Sequence, residues 1–344
     1  MIDRYEAPTV RRRSLLLSVP AGLVTLAGCG DDGDSGSAKS SKTPSPSASA
    51  AASAPPPPKI VDGPLPAITA GTKFGEKPTV AKGPGEPSKD LAVRTVIAGG
   101  GKTVAENDYI QANYLGQIWA TAKVFDNSYD RGTPLVIQLA QGQIIDGWRY
   151  GLVGKKTGSR VEMSVPPTWG YGTSGNAQAG IKGTDTLVFV VDIEDTFNSK
   201  SSAKGKDVPQ KDASLPVVGT NTDGSAPKIT VPKKDAPTKL VANYVIEGDG
   251  PEVKADSTVL VQYEGVLWDS GKEFDSTYKR GQLTSFSLQQ VVKGWAQGLT
   301  GKKVGSRVLI VIPPALGYGD NPPAGSGIKK DSTLVFSVDI LAKM

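Results

Sequence analysis

A chain of 344 residues with 38% hydrophobic and 21% charged side chains has room for two ordinary domains, and its 41 Gly and 26 Pro, gathered in particular stretches, mark part of it as linker. It has no histidine and a single cysteine, Cys29, which excludes Ser-His-Asp and Cys-His catalysis, an intramolecular disulfide and cysteine-rich metal sites. The formal net charge of +5 does not imply a nucleic-acid partner, because Arg11-Arg12-Arg13 lies at the extreme N-terminus and Lys155-Lys156, Lys302-Lys303 and Lys329-Lys330 are short pairs in turn-like sequence, not a stripe. Nothing in the residue set calls for a metal or a cofactor.

The three arginines precede an apolar run over 15–27 that ends in Leu26-Ala27-Gly28-Cys29. Such a run is shorter than the roughly 20 residues a membrane-spanning helix needs and has the size of a signal-peptide core. Leu-Ala-Gly-Cys looks like a bacterial lipobox, so 1–28 is read as a signal peptide and Cys29 as a lipidation site. That reading expects an exported protein held by lipid on the outer face of a bacterial cell membrane. Arg12-Arg13-Ser14-Leu15-Leu16 also resembles a twin-arginine signal, and both export routes stay open. The segment 30–58 is dominated by Ser, Ala, Asp and Pro and cannot bury a core; 29–64 is therefore read as the lipidated cysteine and a disordered tether.

Beyond the tether the chain repeats itself. Tyr114 and Tyr263 are 149 residues apart, as are Phe125 and Phe274, Asp126 and Asp275, and Arg131 and Arg280, whereas Trp148 and Trp295, Tyr171 and Tyr318, and Phe189 and Phe336 are 147 apart. Copy two is thus two residues shorter between Arg280 and Trp295. A period this long makes each copy a whole domain. The first is placed at 65–197 with its core at 106–197, and the second at 226–344 with its core at 256–344. The Ser, Lys, Asp and Gly of 198–225 read as a linker.

Within a copy, Val161, Met163 and Val165 alternate with polar residues, and Leu187, Phe189, Val191 and Ile193 share one face of a later run; 308–312 and Leu334, Phe336, Val338 and Ile340 repeat both patterns. One segment per copy is predicted helical, 143–152 and 290–299, closed by Gly154 and Gly301. The fold class is therefore α+β, two copies of an antiparallel β-sheet wrapped around one short α-helix.

Aromatic residues make up only 6% of the chain, yet they recur at matched positions. Core packing accounts for any one of them alone; Trp148, at the start of the only helix after Ile144-Ile145-Asp146-Gly147, suits a pocket floor equally well. In order, Asn113-Tyr114-Leu115-Gly116, Val124-Phe125-Asp126-Asn127-Ser128, Arg131, Ile144-Ile145-Asp146-Gly147-Trp148, 166–172 (PPTWGYG) and 186–189 (TLVF) resemble the FKBP-type peptidyl-prolyl cis-trans isomerases. The second copy matches with Gln262-Tyr263-Glu264-Gly265, Phe274-Asp275-Ser276, Arg280, Val291-Val292-Lys293-Gly294-Trp295, 313–319 (PPALGYG) and 333–336 (TLVF).

The resemblance implies an FKBP-like fold and a set of roles. Trp148 would be the floor on which a proline ring rests, with Tyr114, Phe125, Ile144, Ile145, Ile181 and Phe189 as walls. Tyr171 would donate its hydroxyl to a substrate carbonyl, and the Ile145 N–H would hold another. Asp126, placed by Arg131 and Tyr114, would be the pocket's one carboxylate. Tyr263, Phe274, Asp275, Arg280, Val291, Val292, Trp295, Tyr318, Ile328 and Phe336 would repeat these roles. Pro-containing, unfolded or partly folded exported polypeptides are the implied substrates, and rapamycin-type macrolides the implied inhibitors. Two departures stand out: Leu135 and Thr284 occupy a wall position that is commonly aromatic, and the shorter connection in copy two is expected to reshape the rim near Val291. The competing reading is a non-catalytic chaperone or scaffold of the cell envelope that holds proline segments, although such decay usually removes the aromatic floor or the aspartate, and both copies keep both.

Overall fold

The computed structural model describes residues 56–344; the expected signal peptide, Cys29 and most of the expected tether lie outside the described residues. Copy one contains β1 (Ile60–Val61), β2 (Ile68–Ala70), β3 (Thr79–Val80), β4 (Leu91–Ile97), β5 (Tyr109–Ile118), β6 (Val124–Asn127), β7 (Leu135–Gln138), α1 (Asp146–Leu152), β8 (Arg160–Val165) and β9 (Leu187–Phe197). Copy two follows with β10 (Lys206–Asp207), β11 (Val217–Val218), β12 (Ile229–Thr230), β13 (Val241–Glu247), β14 (Thr258–Leu267), β15 (Glu273–Ser276), α2 (Thr277–Arg280), β16 (Thr284–Ser287), α3 (Lys293–Leu299), β17 (Arg307–Ile312) and β18 (Leu334–Lys343).

The first sheet runs β1-β4-β8-β9-β5-β6, with β7 also on β5, and the second runs β10-β13-β17-β18-β14-β15, with β16 on β14. Pairing is antiparallel throughout both, except that β1 lies parallel to β4. On the inner face Val161, Met163, Val165, Leu187, Phe189, Val191 and Ile193 pack on Trp148 and Leu152 of α1, and Val308, Ile310, Ile312, Leu334, Phe336, Val338 and Ile340 pack on Trp295 and Leu299 of α3. The period of two puts every second side chain on that face, so the α+β architecture expected from the alternation is present in both copies.

The outer faces are buried as well. Val188 and Val190 of β9 pack with Leu115, Trp119, Val80 and Ile68, the last two from the β2-β3 ribbon that precedes the sheet. In copy two Leu309, Val311, Val335 and Trp268 pack with Ala203 and Val218 and with Ile229 of the β11-β12 ribbon. Each preceding segment is thus a strap across the back of its own sheet, tied by the indole of the following tryptophan: Trp119 donates to the Gly85 carbonyl at 3.0 Å and Trp268 to that of Lys234 at 2.9 Å.

Four expectations are corrected. The end of the stretch read as a disordered tether, 29–64, is ordered, because Ile60–Val61 pairs with Leu91 and Ala92 of β4. The helices begin at Asp146 and Lys293, because Ile145 and Val292 before them are extended, with ψ of 140° and 146°. Copy two has a further helical turn, α2, where copy one has the 3-10 turn Tyr129–Arg131. The stretch 198–225 is not a free linker: β10 pairs with β13, Lys204 N–H donates to the Gly305 carbonyl at 2.7 Å, and Val218 lies in the outer core of copy two. Its polar composition conceals this because most of what it contributes is backbone. The domains meet at Val136 and Phe197 on one side and Leu260, Leu283, Leu341 and Ala342 on the other.

Candidate active site

Each site is built on the middle of the sheet. Tyr114 on β5 and Phe189 on β9 stand over α1, so that Trp148 meets both edge-on, with ring centroids 5.3 and 5.5 Å away, and Phe125 on β6 closes the row 5.7 Å from Phe189. These T-shaped contacts match the ring quadrupoles and favour one arrangement over others. Copy two repeats it: Trp295 lies 5.3 Å from both Tyr263 and Phe336, and Phe274 lies 5.4 Å from Phe336. Glycine makes the row possible. A Cβ on Gly116 would lie 2.7 Å from the Phe125 ring and 2.9 Å from that of Phe189, and one on Gly265 would meet Phe274 and Phe336 equally closely.

Polar groups gather at one end of this row. Tyr114 and Arg131 both donate to Asp126, and the guanidinium also donates to the Tyr114 hydroxyl at 3.0 Å while lying 5.5 Å from its ring centroid. Tyr263, Arg280 and Asp275 form the same triad, with 3.1 and 5.6 Å for the last two contacts. Charge-assisted bonds of this kind are the stronger ones. Burial, and then the bond to Asp126, pushes the Tyr114 hydroxyl well above its ordinary range. Burial pushes the Tyr171 hydroxyl up to about 12 against the pull of Asn176, with the Asp126 charge adding to the rise, and burial followed by Asp275 raises Tyr318. Both hydroxyls therefore stay protonated donors at any ordinary pH.

The structure brings together Tyr114, Ile144, Ile145, Trp148, Ile181 and Phe189 in one buried cluster, with Phe125, Leu135 and Tyr171 packed against it; Tyr263, Trp295, Ile328 and Phe336 do the same, with Phe274, Val291, Val292 and Tyr318 alongside. The floor is covered in both: Trp148 is 0% exposed and Trp295 4%. The walls of copy two are looser, since Val291 and Val292 are half-buried where Ile144 and Ile145 are buried, which is where the chain is two residues shorter.

Sequence reasoning missed Phe286. It lies 5.3 Å from Trp295 and 5.9 Å from Tyr263, so copy two has an aromatic wall two residues along β16 from Thr284. Its counterpart Ile137 is aliphatic, and a search for matched aromatics passes over it. Also missed were Ser128 and Thr277, whose hydroxyls accept from the backbone N–H of Tyr114 at 2.9 Å and of Tyr263 at 2.7 Å.

A family profile described as FKBP-type peptidyl-prolyl cis-trans isomerase matches residues 100–194 and 250–341, which are the two regions that hold these clusters. The chain belongs to the FKBP-type peptidyl-prolyl cis-trans isomerases. It is 41% identical over 118 residues to the FK506-binding protein of Streptomyces anulatus, a match covering 34% of this chain and 95% of the relative. To the FKBP-type peptidyl-prolyl cis-trans isomerase FkpA of Escherichia coli K12 it is 32% identical over 252 residues, covering 73% of this chain and 81% of the relative. The crystal structure of FkpA from Escherichia coli matches 32% of this chain and 50% of its own at 45% identity, with a TM-score of 0.29. The chain is thus a peptidyl-prolyl cis-trans isomerase with two FKBP-type regions, of a family that takes proline-containing substrates and macrolides.

Proposed function

We propose that both regions turn over X–Pro bonds of exported, incompletely folded polypeptides, each by drawing the amide into its aromatic cleft and orienting it there. The observation that carries this reading is the Tyr-Asp-Arg triad set against a Tyr-Trp-Phe-Phe row in both copies. Rotation about an X–Pro amide faces a barrier of roughly 18–20 kcal/mol because the twisted form gives up resonance. No bond breaks and no proton moves, so neither a nucleophile nor a base is required. The planar amide is the more dipolar form; stripping water from it raises the ground state relative to the twisted one. Lowering the barrier by about 4–5 kcal/mol gives a gain near a thousandfold. Tyr171 and Tyr318 hold a substrate carbonyl, and Asp126 and Asp275 bias charge around the twisting bond.

A proline-isomerisation assay on the full chain tests this: an accelerated Xaa-Pro tetrapeptide, inhibited by a rapamycin-type macrolide, is expected, and an unaccelerated one would sink it. Binding of the peptide without acceleration would instead bear out the reading in which proline segments are held without turnover.

The lipobox-like Leu26-Ala27-Gly28-Cys29 supports anchoring of the exported chain to a membrane through acylated Cys29. Cys29→Ser is expected to leave the protein unprocessed or released, and a Ser variant processed and membrane-bound like the parent would contradict it.

A further inference from the structure

The outer face of each sheet carries an ion pair that the aromatic cleft does not use. Arg160 on β8 and Asp192 on β9 are fully buried and doubly bonded, Nε to Oδ1 at 2.6 Å and a terminal guanidinium nitrogen to Oδ2 at 2.7 Å. Two charges so far from water hold only if their remaining donors and acceptors are satisfied. The strap satisfies them: Arg160 donates to the carbonyls of Gly71 and Glu76, the latter at 2.7 Å, and Gly75 N–H donates to Asp192 at 2.7 Å. One more donor reaches the same carboxylate oxygen from the side of the cleft, the Tyr129 hydroxyl at 3.0 Å. Tyr129 opens the single turn Tyr129–Arg131, whose last residue is the site arginine.

Copy two repeats the arrangement with different strap residues. Arg307 and Asp339 are paired at 2.6 and 2.7 Å, and Arg307 donates to the carbonyls of Gly219 and Asn221 at 2.8 Å each. Ala203 N–H donates to Asp339 at 2.9 Å, and the Tyr278 hydroxyl approaches the same oxygen at 3.4 Å. Tyr278 lies within α2, which ends at Arg280. A turn this short has few internal hydrogen bonds with which to hold its own direction. Each is therefore pinned twice, on the cleft side by Ser128 or Thr277 and on the outer side by the tyrosine.

We infer that Tyr129 and Tyr278 are positioning residues: through Asp192 and Asp339 they clamp the arginine-bearing turn to the strap, so that each strap is a working part of a site whose substrate it never touches. The inference rests on the isomerase reading and adds to it that the guanidinium's place is set from behind the sheet. A displacement of about 1 Å in such a group is enough to cost rate. In copy two the strap is also the connection from the first domain, since Ala203 follows β9 by six residues (203 − 197).

The test is a double-mutant cycle on the full chain. Four forms are compared by kcat/KM on an Xaa-Pro tetrapeptide and by urea midpoint: parent, Tyr129→Phe with Tyr278→Phe, Arg131→Ala with Arg280→Ala, and all four changes. The tyrosine changes are expected to lower kcat/KM about fivefold or more in the parent and by less than about twofold once the arginines are gone. Equal losses in both backgrounds, or none in the parent, overturn the inference. Should the paired Phe variant lose its cooperative unfolding, Tyr278→Phe alone, which removes the longer bond, is read in the same cycle against Arg280→Ala. A parent that does not accelerate the peptide fails the isomerase reading itself, which the same assay registers separately.

Discussion

Asp126 and Asp275 occupy matching places in the two copies but not matching surroundings: 10% of the first side chain is exposed and 39% of the second. A charge near a twisting amide acts more strongly where water does not screen it. Asp126→Val is accordingly expected to cost roughly tenfold in turnover at its site, and Asp275→Val only a few-fold, each measured in a chain already carrying the other substitution. If the aspartates merely hold their arginines at the sheet edge, the variants instead lose about 1–3 kcal/mol of stability with turnover per folded molecule unchanged.

The rate of isomerisation should be flat from about pH 6 to about pH 9. The chain has no histidine, and burial holds the Tyr171 hydroxyl at about 12, so no cleft donor titrates in that window. A bell-shaped kcat/KM profile would show that a proton is transferred after all.

Glu162 supplies a pH dependence of stability instead. Its side chain is fully buried, Arg94 donates to one oxygen at 2.5 Å, and the other oxygen has no hydrogen-bond partner. Burial raises this carboxyl from 4.5 although Arg94 opposes the shift. A raised folded-state value means that the stabilising contribution is complete below 4.5 and lost as pH rises through the folded value. The stability difference between Glu162→Gln and the parent should move in the variant's favour as pH climbs from 4.5 through the folded value, and level off above it. Parallel curves from urea titrations across the range would count against it.

Where the second domain is cut decides whether it folds. A fragment over 226–344 lacks Ala203, Gly219 and Asn221, and leaves the buried Arg307–Asp339 pair without three of its hydrogen-bond partners. A fragment over 199–344 keeps them. The shorter one is expected to be less stable by about 3 kcal/mol or more. Equal urea midpoints for the two would show that the strap is dispensable.

The cleft was legible because its side chains are chemically distinctive and recur at fixed offsets: a Phe-Asp pair, an arginine, a tryptophan opening a helix. The straps were not, because Gly71, Ala203, Gly219 and Asn221 act through carbonyls and N–H groups that any residue carries. A signal was nonetheless present. The unbroken apolar runs 187–191 and 308–312 are strands covered on both faces, which a lone helix cannot do. Arg160 and Arg307, with Asp192 and Asp339, also repeat at the 147-residue offset in mid-strand, where an unpaired charge has no place.

The bond from each back-face indole fixes what counts as one structural unit. Trp119 reaches Gly85 and Trp268 reaches Lys234, both 34 residues upstream, and each preceding ribbon lies on its own sheet. Each unit therefore begins well ahead of Tyr109 and Thr258, and the second begins directly behind β9, at the stretch whose composition most resembles filler.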